Sequence, residues 1–87
     1  MNEARLLQIH LGPGERHEGR PLYEVLVEKC RELGLSGATV FHGLDGIVVL
    51  TVDTAERIAS AAAAFEPLLG EGAIAVEDVR VTRVRKG

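Results

Sequence analysis

Eighty-seven residues, 46% hydrophobic and 26% charged, describe a globular chain and not a disordered or fibrous one. Ten Lys and Arg stand against thirteen Asp and Glu, and the resulting net charge of −3 excludes a general nucleic-acid coat, which needs a basic surface. A single cysteine, Cys30, excludes a disulfide framework, and Tyr23, Phe41 and Phe65 are too few for an aromatic core. A chain of this size buries only about 60% of its unfolded surface. Association with further copies is the remaining route to more buried area. No stretch approaches the roughly 20 apolar residues of a membrane span. The segment after Met1–Arg5 is broken by Gln8 and His10, too short and too polar for a signal peptide. With an unpaired cysteine, these features predict one cytoplasmic domain over residues 1–87.

The first predicted strand covers 4–11, with Leu7, Ile9 and Leu11 on one side at period 2, and ends at Gly12-Pro13-Gly14. A polar loop runs to Gly19-Arg20, and Pro21 stands where a first helical residue often does. Leu22, Val25, Leu26, Cys30 and Leu33 then share one helical stripe, which Gly34 terminates. Strands follow at 38–42 and 47–52, and Asp45-Gly46 between them signals a tight antiparallel hairpin. A capping box, Asp53 with Glu56, opens the second helix, whose stripe is Ala55, Ile58, Ala59, Ala62, Phe65 and Leu69, with Pro67 as an early stop. Gly70-Glu71-Gly72 turns the chain into a last strand, 73–84. There Ile74 and Val76 share one parity and Val79 and Val81 the other, so a bulge near Glu77-Asp78 is expected.

The order is βαββαβ, an α+β ferredoxin-like sandwich: an antiparallel sheet with two helices on one face and the other face bare. The third strand is apolar on both parities, Ile47 and Val49 against Val48, Leu50 and Val52. A strand apolar on both sides is expected to be covered on both sides. Another subunit would supply the second cover.

Gly19-Arg20-Pro21-Leu22-Tyr23-Glu24, then Val27-Glu28, then Gly34-Leu35-Ser36-Gly37-Ala38-Thr39-Val40 resembles the P-II-like family catalogued as a domain of unknown function. Independently, Gly70-Glu71-Gly72-Ala73-Ile74-Ala75-Val76 is similar to the Gly-Asp-Gly-Lys-Ile-Phe-Val turn and strand of the wider P-II signalling family, and Arg83-Val84-Arg85 to its Arg-Ile-Arg ending. The resemblance implies a homotrimer whose sheets face the threefold axis, with adenine nucleotides or other small effectors in clefts between subunits. Two departures stand out. Ala73 replaces the pattern's phosphate-binding lysine, and Gly43 to Gly46 replaces its long partner-contacting loop.

The leading candidate site is the turn Gly70, Glu71 and Gly72 with Arg83 and Arg85. Glycines admit backbone N–H groups to a phosphate, and arginine binds it through paired hydrogen bonds. Arg83 and Arg85, two apart on an extended strand, would project from one side about 7 Å apart. A turn that simply needs glycine, followed by a solvated basic tail with Arg80 and Lys86, is the bland alternative. The loop 12–20 leads to a helix N-terminus and carries Arg16, His17 and Arg20, but Glu15 and Glu18 oppose an anion there and Pro21 removes a donor. It reads as a mobile surface loop. His10, His17, His42 and Cys30 have no zinc-site spacing, although His10 and His42 could meet if their strands were neighbours. Metal binding of the kind found in the CutA divalent-ion tolerance proteins, which share the fold, is a minor alternative, and Cys30 fits a small core residue. No nucleophile has a base in an arguable position, so no catalysis is expected.

Two readings follow. One is a trimeric sensor that binds ATP, ADP, AMP or another anion between subunits, with a possible further protein partner. The other is a structural or interaction trimer that kept the scaffold without loop or ligand.

Overall fold

A computed structural model of the chain describes residues 3–82 and 84. Strand β1 (Glu3–Leu11) is followed by a small ribbon of β2 (Arg16–His17) and β3 (Arg20–Pro21), then helix α1 (Leu22–Glu32). Strands β4 (Thr39–His42) and β5 (Ile47–Asp53) form the expected hairpin, closed where Gly43 N–H donates to the Gly46 carbonyl at 2.8 Å. Helix α2 (Ala55–Phe65), a 3-10 turn (Glu66–Leu68) and β6 (Gly72–Arg80) complete the described chain.

The main sheet runs β4-β5-β1-β6, every pair antiparallel, with β1 and β5 in the middle. This is the ferredoxin-like order, and it separates the two faces cleanly. Leu7, Ile9 and Leu11 of β1 and Ile47, Val49, Thr51 and Asp53 of β5 are buried beneath the helices. They meet Leu22, Val25, Leu26 and Cys30 of α1 and Ile58, Ala61 and Phe65 of α2. Phe65, Leu7, Ile9, Leu26 and Val49 are fully buried, so this single layer is the core. Burial also pushes the Cys30 thiol above its ordinary pKa, in keeping with a packing role.

Several local details differ from the sequence reading. The last strand has no bulge. The β1–β6 register is continuous from Glu3↔Arg80 to Leu11↔Gly72, so Val76 lies on the helix side and Val79 on the other. An edge strand accepts this, because each face of β6 is only partly covered. Nor does the strand reach 84: it ends at Arg80. The helix α2 is capped by Thr54, whose hydroxyl accepts from Arg57 N–H at 3.2 Å, and not by Asp53, whose carboxylate turns inward. The buried stripe of α2 is Ile58, Ala61 and Phe65 with Ala62 half-buried, whereas Ala55 and Ala59 are exposed. Pro67 does end α2 early, inside the 3-10 turn. Pro21 is the cap of α1 and not its first helical residue. Leu33, placed on the α1 stripe by periodicity, lies past the helix and is exposed. Gly34 then reverses the chain at φ +75°, a conformation glycine adopts without strain. The 12–20 loop is not loose either: it folds on itself as the β2–β3 ribbon, with Leu22 N–H donating to the Glu15 carbonyl at 2.9 Å.

Candidate functional site

Of the two features of the candidate site, only the 70–72 turn lies among the described residues. Arg83 and Arg85 fall outside them. Gly70, Glu71 and Gly72 form the turn from the 3-10 segment into β6, where Gly72 pairs with Leu11. The pairing needs glycine. A side chain at Gly72 would place its Cβ 2.5 Å from the carbonyl oxygen of His10, a contact that backbone cannot relieve without parting the strands. Ala73, the next residue, is paired with His10 on the open face and is exposed. The turn borders a groove of about 580 Å³ between α2 and the start of β6, lined by Ala62, Ala63, Glu66, Leu69 and Ile74.

The turn is occupied by a carboxylate of the chain itself. One oxygen of Glu15 accepts from Glu71 N–H at 3.3 Å, and the other accepts from Gly12 N–H at 2.8 Å. The two loops treated as separate candidates in the sequence are therefore one structure, joined by Glu15. Sequence reasoning placed Glu15 against anion binding in its own loop. It could not see that this side chain behaves as the anion of the neighbouring turn, because the partner lies 56 residues away.

A second polar junction also escaped the sequence. Asp53 is 3% exposed at the end of β5, and its carboxylate accepts from Thr54 N–H at 2.7 Å, Ser36 N–H at 3.0 Å and the Ser36 hydroxyl at 3.3 Å. Arg57 stands 3.6 Å away and also donates to the Gly34 carbonyl at 3.1 Å. Burial opposes the charge on Asp53, but the Thr54 and Ser36 amides, with Arg57, outweigh it and hold the carboxyl below its ordinary pKa. The arrangement ties the segment after α1 to the start of α2. The Ser36 hydroxyl beside it also donates to the Val52 carbonyl at 3.0 Å, so the geometry describes a fastener between segments.

The imidazoles do not converge. His10 pairs with Val48 on the open face, while His42 pairs with Ile47 on the helix face and meets the Tyr23 ring edge-on at 5.0 Å. Strand β5 separates them, and strand alternation puts them on opposite sides. Among the described residues no three His, Cys, Asp or Glu side chains are grouped as a metal site. Among those residues, too, no helix is long and apolar enough to cross a membrane.

The open face carries Leu6, Gln8 and His10 of β1, Val48, Leu50 and Val52 of β5, Phe41 of β4, and Ala73, Ala75 and Val79 of β6. Phe41 is 56% exposed. Neither helix covers this surface.

Comparison with known proteins places the architecture. The fold matches CPII, a nitrogen regulatory PII-like protein from Thiomonas intermedia K12, in a structure with ADP, AMP and bicarbonate bound. The TM-score is 0.76 at 20% identity, over 93% of this chain and 92% of that one. A structure of the same protein with ADP, AMP and acetate matches at TM-score 0.73 and 18% identity, over 94% and 91% of the two chains. The chain thus has the PII-like ferredoxin-type fold. In sequence it is 43% identical over 44 residues to a UPF0166 protein of Aquifex aeolicus (strain VF5), and 37% identical over 46 residues to one of Methanocaldococcus jannaschii. Those alignments cover 51% and 53% of this chain but only 42% and 43% of the two relatives, so the matched part is under half of their length. The model of the DUF190 family (Uncharacterized ACR, COG1993) matches residues 4–50, from β1 into β5, and the chain belongs to that family.

Proposed function

We propose that the chain is a non-catalytic, PII-like small-ligand sensor, a single cytoplasmic domain that assembles as a homotrimer and binds an adenine nucleotide or another anion in the clefts between subunits. The observation that carries this reading is the uncovered apolar face of Leu6, Phe41, Val48, Leu50 and Val52 on a fold whose likenesses were crystallised with ADP, AMP and bicarbonate or acetate. Burying such a face against further copies contributes about 25 cal/mol per Å² of apolar surface. In this reading Gly70, Glu71 and Gly72 offer backbone N–H groups to the ligand, and Arg83 and Arg85 supply charge. Light scattering should give the mass of three chains. Calorimetry with ATP, ADP and AMP at millimolar ligand should show heat for at least one, and Arg83→Ala with Arg85→Ala should abolish it without disturbing the assembly. A monomer would overturn the reading, and silence for all three nucleotides would remove its nucleotide form.

One observation favours a second reading, a structural or interaction trimer that binds no ligand. Glu15 already satisfies the turn's amide, and Ala73 brings no charge to it. A ligand-free cleft with Arg83 and Arg85 in intersubunit ion pairs would support that alternative over the sensor.

A further inference from the structure

Glu15 is a half-buried acidic side chain whose two oxygens are divided between two peptide N–H groups from distant parts of the chain, Gly12 after β1 and Glu71 before β6. Peptide N–H groups that converge on both oxygens of a carboxylate form an oxyanion site, whatever the source of the carboxylate. The main chain of Glu15 is anchored without its side chain: its N–H donates to the Gly12 carbonyl at 3.4 Å, and its carbonyl accepts from Leu22 N–H at 2.9 Å. Rotation about the side-chain bonds alone would therefore vacate both amides and leave the loop in place. Gly12 and Gly70 flank the carboxylate without side chains of their own: a Cβ added at either would lie 3.6 Å from one of its oxygens.

We propose that the Gly12 and Glu71 amides are an oxyanion-binding site with Glu15 as its built-in competitor, and that a small oxyanion ligand binds by displacing the Glu15 carboxylate. This rests on the reading of the 70–72 turn as part of the ligand site. The ligand class is set by the present occupant: a group that offers two oxygens on one edge, such as a carboxylate, bicarbonate or a phosphoryl group. Displacement also unties the loop after β1 from the turn before β6, so occupancy is reported at both loops. If the form with Glu15 swung out is populated at about 10% or less, the apparent Kd of the wild-type chain is about tenfold or more above that of a chain without the competitor.

The test is a titration of the full chain, followed by amide NMR, with sodium acetate, bicarbonate or inorganic phosphate against chloride at equal ionic strength. Wild type, Glu15→Ala and Glu15→Gln are compared. The alanine variant removes the competitor. The glutamine variant keeps its volume but offers one acceptor oxygen and sets an amide NH₂ against the second donor, so it reads out the proposal even if the alanine variant folds poorly. The expected result is saturable movement of the Gly12 and Glu71 amides, at least about tenfold tighter in the variants than in wild type. Whichever anion saturates identifies the ligand class. No saturable shift in the variants, or equal affinity in all three chains, would overturn the proposal. Nucleotide heats that are equal in wild type and variants would leave the sensor reading standing and remove the competitor. Oxyanion saturation in the variants without any nucleotide heat would keep the competitor and remove the nucleotide.

Discussion

Asp53 has the most heavily satisfied side chain among the described residues, and its position explains why. It closes β5 on the buried face, where an unpaired carboxylate would be expensive, and three donors from Ser36 and Thr54 offset that cost. Because its folded pKa is depressed, its stabilising contribution is present above the unfolded value near 4 and is lost as pH falls through the folded value. Asp53→Ala should cost about 3 kcal/mol at neutral pH, since it removes the charged acceptor of two part-buried amides. Chemical denaturation as a function of pH checks this: the wild-type chain should lose stability on acidification below about pH 5, and the variant should lose less. Gly72 is constrained differently, by the His10 carbonyl 2.5 Å from any added Cβ. Gly72→Ala is expected to cost about 2 kcal/mol and, in hydrogen exchange, to loosen the Leu11 end of the β1–β6 ladder before its Glu3 end. A uniform loss of protection along the ladder would contradict that account. Neither residue's role could be read from its neighbours in the chain. A carboxylate before a helix looks like a cap, and glycine in a Gly-Glu-Gly turn looks like an anion loop. What distinguishes them is a partner from another element.

At the level of elements, period and turn chemistry carried most of the fold. Strand β1, the Asp45-Gly46 hairpin, β5, the Gly34 stop and the Pro67 break all stand where alternation, the 3.6-residue stripe and turn residues placed them. Failures came where one local signal had two solutions. Asp53 and Thr54 are both good caps, and the inward pull of Ser36 left Thr54 to accept the Arg57 amide. Thr54→Ala should therefore lower stability by about 1 kcal/mol, while Glu56→Ala, outside any capping box, should change little. Thermal melts of the two variants separate the assignments. Mixed parity in β6 likewise had two solutions, a bulge or a strand wet on both faces, and only the unbroken register with β1 chose the second. The Gly70–Gly72 turn was legible as a special backbone, but the carboxylate that fills it was not, because Glu15 reaches it only once β1 and β6 pair.

For the molecule as a whole, the asymmetry of the sheet is the main consequence. One face is sealed by α1 and α2 and contains the hydrophobic core cluster, while the other presents Leu6, Phe41, Val48, Leu50 and Val52. Under the trimer reading Phe41, 56% exposed, is the side chain to test. Phe41→Ser should leave the far-UV circular dichroism intact and weaken association by about 2 kcal/mol per contact, roughly 30-fold. Sedimentation across a dilution series would show it, and an unchanged mass distribution would remove Phe41 from the interface. The sequence alone determined the βαββαβ order, the ferredoxin-like fold and the doubly apolar third strand, because periodicity, glycine and proline act over a few residues at a time, and its Gly19–Val40 and Gly70–Val76 motifs carried the resemblance to the PII-like family. Tertiary structure alone decided which face each apolar residue joined, where His10 and His42 came to lie, and that Glu15 reaches the Glu71 amide. Those outcomes depend on strand register, and register is a property of pairs of distant segments.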